Sequence, residues 1–274
     1  MNNNDHKNTA ISIAREAGAL LREGYRQTKE ISSKSTDIDL VTQYDTRAEE
    51  LIVGRLRDAF PRDAIVGEEG QYSNNPNGSG RTWFVDPLDG TVNFAHGFPV
   101  FAVSLALYSG DRPLLAVIYD PLRDECFHAA AGKGAFLSAS DAAGDDQSLQ
   151  VSQGTELASS LLATGFPYDK HHSAQDNLAQ FGAFLKRTRG IRRAGSAALD
   201  IAYVAAGRVD GYWEYKLSSW DVAAGVLLVQ EAGGRISAVD GGPFGLMPEQ
   251  KNALVASNGR IHEEIVGLLE SIPA

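Results

Sequence analysis

Apolar residues recur at helical spacing at Ile13, Ala14, Ala17, Leu20 and Leu21, which predicts an amphipathic helix over residues 9–27. A second helix is expected after Asp45, burying Leu51, Ile52 and Leu56 until Phe60-Pro61 ends it. The apolar runs then shorten to strand length. Residues 64–67 predict a short strand delivering Glu68 and Glu69. After a polar Gly/Asn/Ser loop over residues 73–80, residues 82–85 predict a buried strand delivering Asp86. Runs at 102–108, 114–119 and 126–130 continue as a mostly antiparallel meander.

Residues 138–148 are small, polar and charged, and they predict a boundary between an N-terminal α+β lobe (1–143) and a C-terminal α/β lobe (144–274). Strands and helices alternate beyond it. Strands are expected at 161–164, 211–215, 235–238 and 254–256, and helices at 173–187, 196–206, 220–231 and from about Ile261. The fold class is α/β (α+β).

Composition narrows the function. A formal net charge of −10 argues against direct binding to nucleic acid or an anionic membrane surface. Cys126 is the only cysteine, so neither an internal disulfide nor a thiolate metal cluster is expected. The first residues lack the apolar core of a signal peptide, and the longest clean apolar run, residues 98–107, is too short to span a bilayer. The expectation is a soluble, cytoplasmic protein with no membrane partner.

The chemistry concentrates in Trp83-Phe84-Val85-Asp86-Pro87-Leu88-Asp89-Gly90-Thr91-Val92-Asn93-Phe94. Pro87 restricts the backbone between two carboxylates, so a tight turn would aim both at one point. Paired carboxylates repel unless a cation lies between them, and oxygen-only ligation favours Mg²⁺, Mn²⁺ or Ca²⁺. The N–H groups of Gly90 and Thr91 can cradle a phosphate. Metal beside anion reads as metal-assisted phosphate chemistry, although Asp, Pro and Gly are also ordinary turn residues.

Other acids have ordinary roles open to them as well. Asp45 and Asp221 each suit a helix N-cap, as does Ser196, and Glu68-Glu69 could be a solvated turn. Glu214 lies in an aromatic strand, His96 follows a turn, and His171-His172 sits in a polar loop without ligand spacing. As a set, however, Glu68, Asp86, Asp89 and Asp221 fall at the ends of predicted elements, where α/β folds collect ligands.

Together these segments resemble the inositol monophosphatase family, within the lithium-sensitive, magnesium-dependent phosphatases that include fructose-1,6-bisphosphatases. Two signatures carry the resemblance: residues 83–94 and Trp220-Asp221-Val222-Ala223-Ala224-Gly225. Supporting matches are Lys34-Ser35, Asp39-Leu40-Val41-Thr42 with Asp45, Gly67-Glu68-Glu69, Thr164-Gly165-Phe166-Pro167-Tyr168, Gly195-Ser196-Ala197-Ala198 and Glu231-Ala232-Gly233-Gly234. Arg192-Arg193 and Gly207-Arg208-Val209-Asp210-Gly211 are similar to bacterial inositol-1-monophosphatases. One departure is that many relatives of the animal type have His immediately before Trp-Asp, where this chain has Ser218-Ser219.

The resemblance implies a layered αβαβα fold and a homodimer. It also implies a site holding two to three Mg²⁺, replaceable by Mn²⁺ and inhibited by Li⁺. Glu68, Asp86 and the Leu88 carbonyl would hold one ion, and Asp86, Asp89 and Asp221 a second. A third, weaker ion would lie near Glu68. Glu69 would act near the metal-bound waters, and Asp45 would pair with Thr91 to activate the attacking water. Gly90 and Thr91 would bind phosphate, while Asp89, Gly195, Ser196, Ala197 and Glu214 would contact the polyol.

The implied activity is hydrolysis of myo-inositol 1-phosphate or a similar small-molecule phosphate ester. Alternatives are fructose-1,6-bisphosphatase activity, alone or combined, and histidinol-phosphate or 3′-phosphoadenosine-5′-phosphate phosphatase. Arg192-Arg193 or Lys170 would anchor a second phosphate. A different class of role is partnership with the transcription machinery.

Overall fold

The computed structural model describes residues 3–34, 36, 38–70, 78–139, 146–247 and 250–272. Ser35, most of the expected 73–80 loop and the expected lobe boundary at 143/144 lie outside the described residues.

The first half begins with α1 (Asn3–Gly24), the short pair β1 (Ile31–Ser33) and β2 (Leu40–Thr42), and α2 (Gln43–Ala59). There follow β3 (Ala64–Gly67), β4 (Arg81–Asp89), α3 (Thr91–His96), β5 (Ala102–Ser109), β6 (Arg112–Asp120), β7 (Glu125–Ala130), β8 (Ala135–Ala139) and β9 (Gln147–Ser148). Strands β3 to β9 form one seven-stranded sheet in chain order. Its β3–β4 pair is parallel and the remaining pairs are antiparallel.

The second half comprises β10 (Leu161–Thr164), α4 (Leu178–Leu185), β11 (Gly190–Arg192), α5 (Ala197–Ala205), β12 (Gly211–Leu217), α6 (Ser219–Glu231), β13 (Arg235–Ser237), β14 (Asn252–Ser257) and α7 (His262–Glu270). Its mixed sheet has the order β11-β10-β12-β14-β13.

Strand alternation decides the layers. Trp83, Val85, Val103, Leu105 and Leu107 point to one face of the large sheet, where they pack on Ala14, Ala17 and Leu21 of α1 and on Ile52 and Leu56 of α2. Phe84, Ala106 and Tyr108 point to the other face and meet α5 and α6, which also contact Ala163, Tyr212 and Leu254 of the second sheet. The far face of that sheet packs Trp213 and Val255 against Phe184 of α4 and Ile265 and Leu269 of α7. Helices and sheets therefore stack as αβαβα. Helix α6, between two sheets, is apolar nearly all round, with Val222 through Val229 all buried.

The main elements match their expected positions, with instructive shifts at the ends. Helix α1 starts before residue 9 because His6 is buried and stacks on Phe60 at 4.5 Å, a contact that helical spacing does not reveal. Helix α4 is shorter than residues 173–187. Asn177 holds a left-handed backbone (φ 70°) while its side chain bonds the Gly165 carbonyl at 2.7 Å and Trp213 Nε1 at 2.8 Å. Strands β1, β2, β8, β9 and β11 lack a legible apolar alternation. Among the described residues no helix is long and apolar enough to cross a membrane. Cys126 is buried, and burial pushes its thiol up to about 12.

His262 ties α7 to the second sheet, with Nδ1 2.8 Å from Ser257 Oγ and Nε2 2.8 Å from Ser237 Oγ. Burial, then Arg235, lowers its pKa to about 4. The neutral imidazole is thus favoured in the folded state, whereas the unfolded chain takes up its proton near pH 6.5. Stability from this group is present above pH 6.5 and is lost as pH falls toward 4. Urea unfolding of the wild type and His262→Gln should show the wild type losing about 3 kcal/mol relative to the variant between pH 7.5 and pH 4.

Candidate functional site

The two aspartates of the central motif do not form a turn, contrary to the sequence expectation. Strand β4 runs through both, and its register against β5 moves from Asp86 opposite Ser104 to Asp89 opposite Ala102. Three steps on one strand against two on the other make a β-bulge, and Pro87, which has no N–H to give to a ladder, lies within it. The physical consequence is directional. Residues three apart on a regular strand face opposite ways, but the extra residue puts Asp86 and Asp89 on the same face of the sheet.

That face meets the starts of three helices. Gly90 and Thr91 begin α3, Ser196 caps α5, and Ser218 precedes α6; all four residues line one cavity of about 380 Å³. Asp89 Oδ2 accepts from the Ala198 N–H at 2.8 Å and from Ser196 Oγ, whose own oxygen accepts from Leu199 N–H at 3.3 Å. Asp221 Oδ2 accepts from the Ser218 N–H at 2.6 Å, so this acid caps its helix while facing the cavity. Ser218 Oγ accepts from Lys251 Nζ at 2.7 Å.

Asp45 likewise combines two roles. Its Oδ2 accepts from Thr42 N–H (2.8 Å) and Thr42 Oγ1 (2.6 Å) at the start of α2, and its Oδ1 accepts from Thr91 Oγ1 at 2.8 Å. Thr91 Oγ1 also lies 3.1 Å from the Leu88 carbonyl. Burial raises the Asp45 pKa against these donors.

The Glu68-Glu69 segment is held by two groups. Lys34 Nζ bonds Glu68 Oε1 at 2.8 Å and also bonds Glu69 Oε1. Burial lowers the Lys34 pKa, but Glu68 and Glu69 outweigh it and the net shift is upward. From beneath, Glu49 of α2, only 1% exposed, accepts from the Glu69 N–H at 2.8 Å. A Cβ at Gly67 would stand 1.8 Å from Glu49 Oε1, so glycine makes room for this carboxylate. Burial pushes both Glu49 and Glu69 up to about 7. Glu49 stands one helical turn after Asp45, an i, i+4 spacing that sequence inspection could have used but did not.

At the opposite end, Glu214 accepts from the Tyr212 hydroxyl, and Gly165 leaves space where a Cβ would be 2.1 Å from the carboxylate. Burial pushes Glu214 up to about 7, against Tyr212 and Arg193. Gly195, Ser196, Ala197, Tyr168, Lys170, Arg193 and Asp200 also line the cavity.

Of the residues expected at the site, Glu68, Asp86, Leu88, Asp89, Gly90, Thr91, Gly195, Ser196, Ala197, Glu214 and Asp221 line the cavity. Asp45 lies behind Thr91, and Glu69 faces Lys34 beside the cavity. Lys170 and Arg193 line it, whereas Arg192, His96, His171 and His172 do not.

The carboxylates raise one another. Asp86 is pushed well above the usual range by burial, then by Glu68, Asp89 and Asp221. Asp221 is raised well above it by burial, Glu68 and Asp89, and Asp89 reaches about 6, chiefly through burial. Oxygen donors of this density fit a hard divalent cation. Among the described residues, no three acidic, His or Cys side chains form a ready-made cage. Protein donors already hold one oxygen of each acid: Leu88 N–H binds Asp86 at 3.0 Å, Lys34 binds Glu68, and helix-start donors bind Asp89 and Asp221.

Gly90 has φ 99°, and a Cβ there would stand 2.9 Å from the Val100 carbonyl and 3.2 Å from that of Gly195. Gly90→Ala should therefore destabilise the protein by at least about 1–2 kcal/mol in urea unfolding, from backbone strain alone.

Comparison with known proteins bears on the family and the fold. The Inositol monophosphatase family matches residues 2–274. The Pseudomonas aeruginosa protein named Nus factor SuhB is 43% identical over 267 residues, covering 96% of this chain and 95% of that one. The Synechocystis inositol-1-monophosphatase is 40% identical over 270 residues, covering 97% and 90%. The structure of inositol monophosphatase from Anabaena (Nostoc) is 39% identical, with a TM-score of 0.86, and the match covers 100% of this chain and 98% of that one. With its sequence matched end to end and its layered fold shared, this chain belongs to the inositol monophosphatase family of phosphatases.

Proposed function

We propose that the protein is an Mg²⁺-dependent phosphomonoesterase that hydrolyses myo-inositol 1-phosphate or a similar polyol monophosphate by direct attack of water. The observation that carries this reading is the meeting, in one cavity, of Glu68, Asp86, Asp89 and Asp221 with three helix starts and the polar wall around Glu214. Helix starts favour anions, and the carboxylates favour cations. A phosphate ester bound together with divalent metal satisfies both.

Glu68, Asp86 and the Leu88 carbonyl would hold one Mg²⁺, and Asp86, Asp89 and Asp221 another, with a weaker third near Glu68. Mn²⁺ would substitute and Li⁺ inhibit. Such ions supply a lowered water pKa and charge cancellation on the phosphoryl oxygens. The protein's own part is orientation and proton handling. The N–H groups of Gly90 and Thr91 bind a phosphoryl oxygen. Thr91 Oγ1 donates to Asp45, which leaves its lone pairs to accept from the attacking water. A proton leaving that water passes to Thr91 Oγ1 as the Thr91 proton passes to Asp45 Oδ1, whose raised pKa suits it to receive. Glu69, paired with Lys34, serves as a further acid beside the metal waters. Asp89, Gly195, Ser196, Ala197 and Glu214 contact the polyol. A homodimer is part of the same reading.

Phosphate release from inositol phosphate should require Mg²⁺ and fall with added Li⁺. Asp89→Asn should abolish it together with Mg²⁺ binding by calorimetry, while Thr91→Val should lower kcat by ~10²–10⁴. Intact turnover by Asp89→Asn would sink the mechanism. Lys170 and Arg193 on the cavity wall keep fructose bisphosphate, histidinol phosphate and 3′-phosphoadenosine-5′-phosphate in the same substrate panel.

A second reading, supported by similarity to the protein named Nus factor SuhB, is a docking role with the transcription machinery. Purified protein should then retain RNA polymerase in a pull-down, and an empty pull-down would count against it.

A further inference from the structure

Asp200 has no part in the roles above, yet it occupies the cavity. It sits in the first turn of α5, one turn beyond Ser196, and is only 3% exposed. Its remaining opening is toward the cavity it lines. The other acids discussed there have protein donors: Leu88 N–H for Asp86, Ser196 and Ala198 for Asp89, Ser218 for Asp221, Lys34 for Glu68 and Tyr212 for Glu214. For the Asp200 carboxylate, no hydrogen-bond donor is found among the described residues; burial, Glu214 and Asp89 all act against its charge, and Arg193 alone favours it. A mostly buried carboxylate that finds no donor in the protein is costly to keep charged, so a donor arriving with a ligand has a large effect at this position.

The neighbourhood indicates which donor. Glu214 on β12 faces the same end of the cavity, and Tyr212 feels both acids. Arg193 already supplies positive charge to Asp200 and Glu214, so an ammonium group entering between them would meet like charge. A neutral O–H donor meets no such penalty. Two acceptors on adjacent elements suit hydroxyls on neighbouring carbons.

We propose that Asp200 is a specificity-determining acceptor which, with Glu214, binds neighbouring hydroxyls of the substrate's polyol group. This rests on the phosphatase reading of the site and extends it to the choice of substrate. A site built to bind a hydroxyl discriminates strongly against a ligand that lacks it, because its acceptor is then left buried and unpaired.

The test compares kcat/KM for myo-inositol 1-phosphate with kcat/KM for 4-nitrophenyl phosphate, an ester without hydroxyls on its leaving group. In Asp200→Asn and Asp200→Ala the ratio of the two should fall at least about tenfold, with the loss mainly in KM. An equal loss on both esters, or no loss on either, overturns the proposal. Should both variants fail to fold, wild-type enzyme assayed on single-deoxy inositol 1-phosphates decides. At least one deoxy ester should lose about tenfold in kcat/KM, and a spread below about twofold across the series overturns the proposal. Hydrolysis of 4-nitrophenyl phosphate with no preference for the inositol ester would leave the phosphatase reading standing and remove this one. No hydrolysis of either ester would remove both.

Discussion

Four carboxylates gathered away from bulk water set the terms for the rest of the structure. Burial disfavours the charged forms of Asp86, Asp89 and Asp221, and neighbours of like charge add to the cost, which is why Asp86 and Asp221 are pushed so far above the usual range. The fold contains the cost with backbone donors. Asp89 and Asp221 take N–H groups at the starts of α5 and α6, and Asp86 takes one from within its own bulge. Lys34 supplies a side-chain cation bonded directly to Glu68. These restraints also fix where the acids point within the cavity.

The layered architecture follows from how those donors must be delivered. The acids on β3–β4 belong to the large sheet, while the helix starts that hold Asp89 and contribute Asp221 belong to helices between the two sheets. Neither half could complete the cavity alone. Asn93 joins them directly, donating to the Val100 carbonyl at 2.7 Å and to the Ala194 carbonyl at 2.8 Å, which places the loop before α5 against the end of β4. The bulge at Pro87 is the smallest device in the structure with the largest effect, since one extra residue turns two opposed aspartates into a pair.

The cavity is asymmetric in its chemistry. One end holds acids braced by amides and by Lys34, suited to metal and phosphate. The other holds Glu214, Asp200, Lys170 and Arg193, a mixed wall able to tell one leaving group from another. The second end combines acids and cations from α5, β12 and the loops before α4 and α5, and the proposed function gives it the choice of substrate.

Much of this was legible in the chain itself. The spacing of Asp86, Asp89, Gly90 and Thr91, with Trp220-Asp221 far downstream, determined the kind of chemistry, because ligand type and local spacing are properties of the sequence. Apolar periodicity likewise located most helices and strands. The reach of α1 back to His6 and the break at Asn177 were not legible, since stacking on Phe60 and bonding to Trp213 join residues far apart in the chain. Nor was the bulge, which exists only as a mismatch between β4 and β5, nor Glu49, whose role depends on which loop packs above it. Asp200 looked like any polar residue in the first turn of a helix; burial beside Glu214, with no donor for it among the described residues, distinguishes it. The sequence by itself determined which groups this protein has to offer, and the tertiary structure decided which of them meet, because direction, burial and partnership arise only when distant segments pack together.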